Sequence, residues 1–352
     1  MCLLCCPFAE EKACRLFLRL KVKEEEIRKR NVFKKYLELV KDDVKNYFDF
    51  NSFLEIKCPA CSGDNFMDEF SKIGFNYVSC DKCLTLFVNP RPSFKAFKEF
   101  YSNSPSTKFW VNEFFKPVAD ARREKIFKPR AEYISKMLDV DKAQMVGDIG
   151  SGFGFFLEEL RGILPACYCV AIEPSYDMAE ICKNKGLEVQ CGCLEDIHDM
   201  ESKFDMLTAF ELLEHLFNPG VFLEKAYSLL SPGGYLCITT LNSNGFDLLL
   251  LWEKHKSIEP PHHLNFFNTI SVKGLLKRIG FEIVEISTPG CLDWDIVEGM
   301  VKNEGVDCGR FWNLLAREGS ERCKDELQEW VSGHNFSSHM RVVAKKPATS
   351  KR

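Results

Sequence analysis

Four cysteines stand in two pairs whose spacing is typical of a metal site. Cys58 and Cys61 form the first pair and Cys80 and Cys83 the second, in a C-x2-C-x18-C-x2-C pattern. Each C-x-x-C turn aims two sulfur atoms at one point, and two such turns complete the tetrahedron that Zn²⁺ prefers. Because four thiolates leave no open coordination position, we expect one structural zinc ion per chain. A redox-active dithiol pair and a site without metal are the alternatives.

A second feature that could bind a ligand is a glycine-rich turn that follows a strand-like run. The run at 145–149 leads into Gly150, Gly152 and Gly154, and a helical segment comes next. Glycines let a ligand approach the backbone closely, and the first turn of the helix offers free N–H groups. A dinucleotide-binding G-x-G-x-x-G pattern would need a glycine at position 155, but Phe155 stands there. The spacing therefore argues against a dinucleotide.

Acidic residues accompany the predicted strands at positions where a ligand would meet them. Asp148 lies in the first strand, and Glu173 ends the second strand, 23 residues after Gly150. A carboxylate at Asp148 suits a cationic or amine-bearing ligand, and one at Glu173 can accept both hydroxyls of a ribose. A third acidic pair, Glu195 and Asp196, could reach an adenine amino group. Together these residues describe a ligand with a positive end, an unphosphorylated ribose and an aromatic base, which is S-adenosylmethionine.

These motifs resemble those of the class I S-adenosylmethionine-dependent methyltransferases over about residues 143–346. The stretch 148–154 resembles the first motif of that family, Glu173-Pro174 the second, and residues 204–211 the fourth. The segment 211–216 is similar to the one that lines the methyl-transfer site in the family. The resemblance implies that S-adenosylmethionine is bound by Asp148, Gly150, Ser151, Gly152, Gly154, Glu173, Pro174, Glu195, Asp196 and Glu211.

Two further stretches narrow the resemblance within the family. Residues 260–267, which include two prolines and two histidines, resemble the ubiquinone-biosynthesis-like subgroup. The cysteine quartet followed by residues 87–92 resembles the zinc-binding front module of bacterial methyltransferases, including sugar methyltransferases. The resemblance implies a methyltransferase that carries a zinc module.

Three histidines lie on predicted loops beyond strand ends, where open α/β sheets place their ligands. Methyl transfer from a sulfonium is an in-line displacement, and an oxygen acceptor must also lose a proton. A histidine near neutral pKa is the usual proton acceptor, so His263 is the first candidate, His262 the second and His215 the third. Glu211 and Glu214 could orient His215 or contact the acceptor. The alternative is that each of these histidines only makes structural hydrogen bonds.

Aromatic residues are concentrated in two segments that could form a wall for the acceptor. One covers residues 94–115, for which core packing is the first explanation and a cap over a ligand pocket the second. The other is an insertion at 288–338, with Asp293, Trp294, Asp295, Phe311, Trp312 and Trp330. Aromatic faces beside carboxylates suit a sugar ring, and they suit a quinone or a polyketide nearly as well.

The predicted function is therefore S-adenosylmethionine-dependent methyl transfer to a small-molecule acceptor. The first expectation is a hydroxyl of a sugar or glycan intermediate, and the alternative is a quinone- or polyketide-like metabolite. An alternative of another class is a non-catalytic zinc-ribbon binding module on a degenerate methyltransferase scaffold.

The elements that must position these residues alternate between strands and helices from residue 143 onwards. Strand-like runs lie at 145–149, 168–172, 187–190, 204–210, 235–241, 281–287 and 340–344. Helical spacing fills the intervals, so we expect a parallel sheet covered on both faces. The predicted fold class is α/β, a Rossmann-like seven-stranded methyltransferase sheet with helices on both faces, preceded by a helical segment and a small zinc ribbon.

The chain accordingly divides into five parts. Residues 1–53 form an N-terminal helical segment whose charged run at 21–30 should face solvent, and residues 54–90 form a small separate zinc ribbon. Residues 91–142 form an aromatic-rich helical connector or cap. The methyltransferase domain covers 143–346, including the acceptor-side insertion at 288–338, and a tail follows at 347–352.

Composition limits the partners and the compartment. Lys and Arg total 47 against 51 Asp and Glu, a net charge of -4, so we expect no nucleic-acid partner. No apolar stretch approaches the ~20 residues of a membrane span, and the first residues lack the basic region of a secretory signal. The 17 cysteines indicate reduced thiols and a cytoplasmic protein. Cys2, Cys5 and Cys6 are expected to be ordinary thiols near solvent, and no oligomeric state is predicted.

Overall fold

The computed structural model describes residues 22–138, 142 and 144–348. The predictions for Cys2, Cys5 and Cys6, and for most of the tail, lie outside the described residues. Within the described ranges, no helix is both long enough and apolar enough to cross a membrane.

The described strands form two sheets. The smaller is antiparallel, in the order β1-β2-β3-β9, and consists of β1 (Phe66–Lys72), β2 (Phe75–Cys80), β3 (Leu86–Val88) and β9 (Asn265–Phe266). The larger consists of β4 (Met145–Ile149), β5 (Tyr168–Glu173), β6 (Glu188–Cys191), β7 (Phe204–Phe210), β8 (Leu230–Leu241), β10 (Glu282–Ser287) and β11 (His339–Lys345). Its order is β10-β11-β8-β7-β4-β5-β6. This sheet confirms the predicted seven-stranded α/β fold class.

Helices fill most of the intervals between the strands. The α-helices of the described residues are Glu24–Ile27, Arg30–Tyr47, Phe94–Asn103, Pro105–Phe109, Ala119–Arg122, Lys128–Ser135, Phe155–Ile163, Tyr176–Asn184, Pro219–Leu229, Phe246–Leu251, Thr269–Ile279, Asp293–Glu304, Arg310–Glu318 and Glu321–Gly333. The segments Trp110–Phe115 and Arg123–Phe127 are π-helical. Several helices begin where a polar side chain accepts a backbone N–H of the first turn, as Ser93, Asn218 and Asn268 do.

Both faces of the large sheet are buried under helices. Along β5, Cys169 belongs to one hydrophobic core and Val170 to another, because successive side chains of a strand point to opposite faces. Helix Phe155–Ile163 packs in the first core and helix Thr269–Ile279 in the second. Burial on both faces explains why these strands read as continuous apolar runs in the sequence.

The prediction of a parallel sheet is wrong for one strand. β11 lies between β8 and β10 and pairs antiparallel with both, whereas the pairs among β4 to β8 are parallel. Ser287 at the end of β10 pairs with Arg341 near the start of β11. The insertion therefore ends beside the strand from which it began. An apolar run has the same pattern whichever end of the sheet it starts from, so the sequence could not show this direction.

The front sheet is not the separate module that the cysteine spacing suggests. Its fourth strand, β9, comes from the stretch that follows the paired histidines. Leu86 pairs with Phe266 and Phe87 with Asn265, and Phe87 also belongs to one of the cores of the large sheet. The ribbon was predicted from local spacing, which carries no information about pairing with residues so far along the chain.

The front helix Arg30–Tyr47 lies within the predicted N-terminal helical segment, and one of its faces is buried. Its buried face packs against the small sheet through Phe33, Tyr36, Val40 and Val44. The prediction that the charged run 21–30 faces solvent is wrong in part. Glu24 is buried, and its backbone N–H donates to Asp295 at 2.6 Å, because the short helix that it begins packs on the insertion.

One buried cation ties the small sheet to the loops of the large one. Arg91 is 1% exposed, and its guanidinium pairs with no carboxylate in the described part of the chain. It donates to the carbonyl oxygens of Val88 at 3.0 Å, Phe217 at 2.9 Å and Leu264 at 3.2 Å, and to the side-chain oxygen of Asn265. Burial lowers the pKa of Arg91 to about 9, so the group stays a cation near neutral pH. These bonds hold the stretch after the paired histidines against the front sheet.

Replacing Arg91 with Met should lower the free energy of unfolding by about 3 kcal/mol or more, because several buried oxygens lose their donor. Urea denaturation of the purified chain measures this change. Arg322, whose side chain is 88% exposed, provides the control, and Arg322→Met should cost less than about 0.5 kcal/mol. Equal effects of the two substitutions would contradict the role given to the buried network.

Candidate active site

A cavity of about 490 Å³ lies at the edge of the large sheet where the parallel strands end. Its base is formed by the glycine loop (residues 148–154), by residues 210–215 after β7, and by residues 257–263, named the histidine loop here. The front helices and residues 289–293 and 337–339 form the other walls. The cavity brings together eight of the predicted site residues, Asp148, Gly150, Ser151, Gly152, Glu211, His215, His262 and His263.

The glycine loop turns bare backbone toward the cavity. Gly150 and Gly152 have φ angles of +70° and +55°, in the left-handed region that favours glycine. A Cβ built on Gly152 would meet no atom within 4 Å, so this position faces open space. Gly154 differs, because a Cβ there would lie 2.7 Å from Leu187 and 3.0 Å from Cys182. The first two glycines therefore suit ligand contact, and the third suits helix packing.

Two predicted acids lie beside the glycine loop. Asp148 is buried and accepts a hydrogen bond from the Thr208 hydroxyl at 2.6 Å, and burial raises the pKa of Asp148 to about 7. Glu173 is buried beside the loop, where its carboxylate accepts the N–H groups of Gly152 and Ser175 at 2.8 Å each. Burial raises the pKa of Glu173 as well. Glu173 thus fixes the loop and keeps further lone pairs on both oxygens.

The other predicted cofactor residues lie away from the cavity. Glu195 and Asp196 are exposed on the turn after β6, and Pro174 is exposed after β5. Like Glu173 and Gly154, they do not line the cavity. Their part in ligand binding stays a prediction.

Glu211 is paired with an arginine and a histidine on the cavity wall. Its Oε1 lies 2.9 Å from Arg130 Nη2 and 3.3 Å from His339 Nδ1, and it accepts the Thr239 hydroxyl at 2.6 Å. Burial would raise the pKa of Glu211, but His339 and Arg130 outweigh it and lower that pKa. Glu211 is therefore ionised and engaged within the protein, so its predicted contact with the cofactor stays a prediction.

Glu214 has the opposite character. It is buried, its Oε2 accepts the Thr240 hydroxyl at 2.7 Å, and burial together with Glu211 raises the pKa of Glu214 to about 8. Glu214 thus carries a proton at neutral pH. Glu214, His215 and His263 each place one ligand atom within 4.8 Å of the others, so these three residues could also hold a divalent cation.

The three predicted histidines meet on one side of the cavity. His215 Nδ1 donates to the carbonyl oxygen of His262 at 3.0 Å, and His263 Nδ1 donates to the carbonyl oxygen of Ser257. Because a carbonyl oxygen only accepts, both Nδ1 atoms carry the proton and each Nε2 is left as an acceptor. The rings of His215 and His263 lie 4.5 Å apart.

Burial makes all three histidines weak bases. It lowers the pKa of His215 to about 4 and that of His262 to about 3, and it lowers the pKa of His263 well below the ordinary value. The imidazoles are therefore neutral at physiological pH, with a lone pair available on each Nε2 of His215 and His263.

Two arginines on the cavity wall were not predicted from the sequence. Arg130 contacts Glu211, and Arg122 lies over the ring of Phe115 at 4.6 Å. Arg122 Nε is buried without a hydrogen-bond partner, and its guanidinium pairs with no carboxylate in the described ranges. The sequence did contain a signal for this pair, because Arg122 and Arg130 are eight residues apart and that spacing places two side chains near one face of a helix. Arg28 from the charged run also lines the cavity, paired with Glu24 at 3.6 Å.

The aromatic residues predicted for the acceptor wall are only partly at the cavity. From the front segment, the cavity is lined by Tyr101, Trp110 and Phe115. In the insertion, Trp294 and Trp312 pack in a separate core, and Phe311 and Trp330 are 65% and 51% exposed. That part of the prediction is wrong, because aromatic content does not show which face of a helix turns to a site. Of the insertion residues named in the prediction, Asp293 does line the cavity, together with residues 289–292.

The four predicted zinc ligands lie together beside the small sheet. Cys58 Sγ is 3.5 Å from Cys83 Sγ, and Cys61 Sγ is 3.5 Å from Cys80 Sγ. All four sulfur atoms lie within 4.8 Å of one another. A zinc tetrahedron with bonds of about 2.3 Å has edges of about 3.8 Å, so the quartet fits such an ion after small movements. The geometry is compatible with zinc, which stays a prediction.

Known proteins resemble this chain in the part that holds the cavity. Residues 120–286 match a methyltransferase domain family. A Xanthomonas euvesicatoria protein named ubiquinone biosynthesis O-methyltransferase is 26% identical over 171 residues, which are 45% of this chain and 70% of that protein. A Bradyrhizobium diazoefficiens protein of the same name is 30% identical over 103 residues, which are 28% of this chain and 40% of that protein.

These matches support the resemblance to class I S-adenosylmethionine-dependent methyltransferases that the sequence motifs indicate. The matched range contains the glycine loop, the histidine loop and Glu211, but not the cysteine quartet. A solved S-adenosylmethionine-dependent methyltransferase of Thermotoga maritima covers 67% of this chain and 96% of its own, at 18% identity and a TM-score of 0.44.

One zinc ion per chain should be found by elemental analysis of the purified protein, and the double variant Cys58→Ser, Cys80→Ser should lose it. Because β3 pairs with β9, the variant should also melt several degrees lower than the parent chain. The exposed Cys323 is the control, and Cys323→Ser should keep both the metal and the melting temperature. A metal-free parent protein would refute the zinc prediction.

Alanine substitutions in the glycine loop should separate ligand contact from packing. Gly152→Ala places a methyl group in the cavity and should weaken S-adenosylmethionine binding at least about tenfold, with a stability loss of about 1 kcal/mol from the strained φ. Gly154→Ala should mainly lower stability, because its Cβ would meet Leu187 and Cys182. Calorimetric titration and thermal unfolding measure the two effects. Unchanged affinity in Gly152→Ala would place the donor elsewhere.

Proposed function

We propose that this chain transfers the methyl group of S-adenosylmethionine to a hydroxyl oxygen of a small hydroxylated aromatic molecule. The observation that carries the proposal is the single cavity that joins the glycine loop to the histidine loop. Residue types alone favour a sugar hydroxyl, but the relatives named ubiquinone biosynthesis O-methyltransferase support the quinone-like alternative.

The residues on one side of the cavity fit the donor. The bare backbone at Gly152 allows close contact, and the carboxyl group of Asp148, whose pKa is about 7, can ionise beside a cationic ligand. The unpartnered Nε of Arg122 suits the carboxylate of the donor. Glu173 holds the glycine loop through the N–H of Gly152, although it does not itself line the cavity. When bound, the donor supplies a methyl group carried on a positively charged sulfur.

His263 and His215 are suited to accept the proton of the acceptor hydroxyl. Each presents Nε2 as an acceptor, because its Nδ1 donates to a backbone carbonyl. Their lowered pKa values make them weak bases. A weak base removes a proton far more readily from a phenol, with a pKa of about 10, than from an alcohol, with a pKa near the value of about 16 for water. This favours an aromatic hydroxyl over a sugar hydroxyl.

The front of the chain keeps the cavity dry and positions the histidine loop. Tyr36, Trp110 and Phe115 cover the cavity from the front helices. The Tyr77 hydroxyl of β2 donates to the carbonyl oxygen of His263 at 2.8 Å. Methyl transfer depends on alignment and on exclusion of water, and both would come from this front part.

Titration of the full chain with S-adenosylmethionine, followed by an assay of methyl transfer to catechol and to methyl glucoside, tests the proposal. We expect one donor per chain, methylated catechol by mass spectrometry, and no methylated glucoside. His263→Phe should lower kcat at least about 100-fold with unchanged donor affinity, because the proton acceptor is lost. The exposed His198 is the control, and His198→Phe should keep kcat.

Two outcomes would contradict the proposal. Absence of donor binding would leave the non-catalytic scaffold as the explanation of the fold. Methylation of the glucoside without methylation of catechol would show that the acceptor is a sugar hydroxyl and not an aromatic one.

A further inference from the structure

Three buried titratable side chains near the cavity have no part in the proposed proton transfer. They are Asp247, His255 and Asp293, which are 0%, 1% and 2% exposed. Neither carboxyl group pairs with a lysine or an arginine in the part of the chain that the structure describes. Burial of such groups is costly, and an apolar set of the same size often stabilises a fold as well or better. Their polarity therefore indicates a role that apolar side chains could not fill.

Hydrogen-bond directions determine the state of His255. Its Nδ1 accepts a bond from the backbone N–H of Ser257 at 3.0 Å, so the imidazole proton is on Nε2. Nε2 then donates to Asp247 Oδ2 at 2.9 Å. Burial would raise the pKa of Asp247, but His255 and further hydrogen-bond donors outweigh it and lower that pKa. Asp247 is therefore an ionised acceptor, and both ring nitrogens of His255 are engaged.

Asp293 anchors the other end of this group to the insertion. Its carboxyl oxygens accept the Ser338 N–H at 2.7 Å, the Gln328 amide at 2.7 Å and the Ser337 hydroxyl at 2.8 and 2.9 Å. Burial and the charge of Asp247 raise the pKa of Asp293 to about 7, and Asp293 hydrogen-bonds to Asp247. One proton between the two carboxyl groups lets them stay in contact, because two ionised carboxylates would repel each other.

A continuous path of hydrogen bonds leads from this group to His263. The N–H of Ser257 donates to His255, and the carbonyl oxygen of Ser257 accepts the bond from His263 Nδ1. That bond keeps the proton of His263 on Nδ1 and leaves Nε2 as an acceptor. Asp293, Ser257 and His263 line the cavity, whereas Asp247 and His255 lie behind its wall. The path thus joins the insertion to the histidine loop.

We propose that three positioning residues, Asp247, His255 and Asp293, align the proton acceptor of the cavity. They hold Ser257 in place, and the carbonyl group of Ser257 holds the imidazole of His263. Their role rests on the proposed function, in which His263 accepts the proton of the acceptor hydroxyl. A carboxylate can fix the tautomer and the orientation of a histidine, and here it acts through one further peptide group. Because Asp293 belongs to the insertion, docking of the insertion and alignment of His263 are coupled.

Asp247→Leu removes the acceptor of His255 and should lower kcat for methylation of catechol about 10- to 100-fold. KM and the affinity for S-adenosylhomocysteine should change less than about twofold, because the binding surfaces stay in place. Asp247→Asn keeps an oxygen that accepts the bond from His255, so it should retain kcat within about threefold. Steady-state kinetics and calorimetric titration of the full chain measure these effects.

Nitrogen NMR of the full chain, isotopically labelled at its histidines, reports the alignment directly. Comparison with His263→Phe identifies the signals of His263. The parent chain and Asp247→Asn should show one tautomer of His263, with the proton on Nδ1. Asp247→Leu should shift these signals toward a mixture of the two tautomers, because Ser257 is no longer held. A loss of stability alone would not change the tautomer.

Asp43 of the front helix is the matched control, because it is 2% exposed and accepts the backbone N–H of Ser106 at 2.8 Å. Asp43→Leu should lose stability but keep kcat and the tautomer of His263. If Asp247→Leu does not fold, His255→Phe decides by the same two readouts. Unchanged kcat or an unchanged tautomer in the folded variant, or the same losses in Asp43→Leu, would overturn the inference.

Failure of the proposed function would look different. A parent chain that binds no S-adenosylhomocysteine, or that methylates no catechol, would overturn the proposed methyl transfer to an aromatic hydroxyl. The tautomer of His263 needs no methyl transfer to be measured, so it would still decide whether Asp247 positions this histidine.

Discussion

The guanidinium of Arg91 is buried and holds oxygen atoms from three distant parts of the chain together. It joins the end of β3 to Phe217 and to Leu264, so it fixes the histidine loop relative to the loop after β7. A buried cation without a carboxylate is stable only where several carbonyl groups replace its water shell. The position of the histidines against the glycine loop therefore depends on the contacts that Arg91 makes directly after His263 and with the loop after β7.

The front part of the chain consequently belongs to the site. Its small sheet takes β9 from the region after the histidine loop, and its helices cover the cavity with aromatic side chains. A bound metal at the cysteine quartet would rigidify β1 to β3, and through the pairing of Phe87 with Asn265 it would rigidify the floor of the acceptor side. The small sheet and the seven-stranded sheet therefore form one structural unit around one cavity.

Local patterns were enough to predict the large sheet, the glycine loop and the cysteine quartet, because each is encoded over a few neighbouring residues. The partners of Arg91 could not be predicted, because Phe217 and Leu264 lie more than 100 residues away from it along the chain. Trp312 and Trp330 were placed at the cavity for their aromatic character. Only the packing shows that Trp312 belongs to a separate core and that Trp330 is exposed.

A crystal structure of the full chain with S-adenosylhomocysteine and catechol would show whether one cavity holds both the donor and the acceptor. We expect both molecules in the cavity, with the adenosine portion against Gly150 and Gly152. We also expect the sulfur atom to face one catechol oxygen near His263. A donor product bound outside this cavity, or a catechol that does not touch the histidine loop, would contradict the proposed methyl transfer.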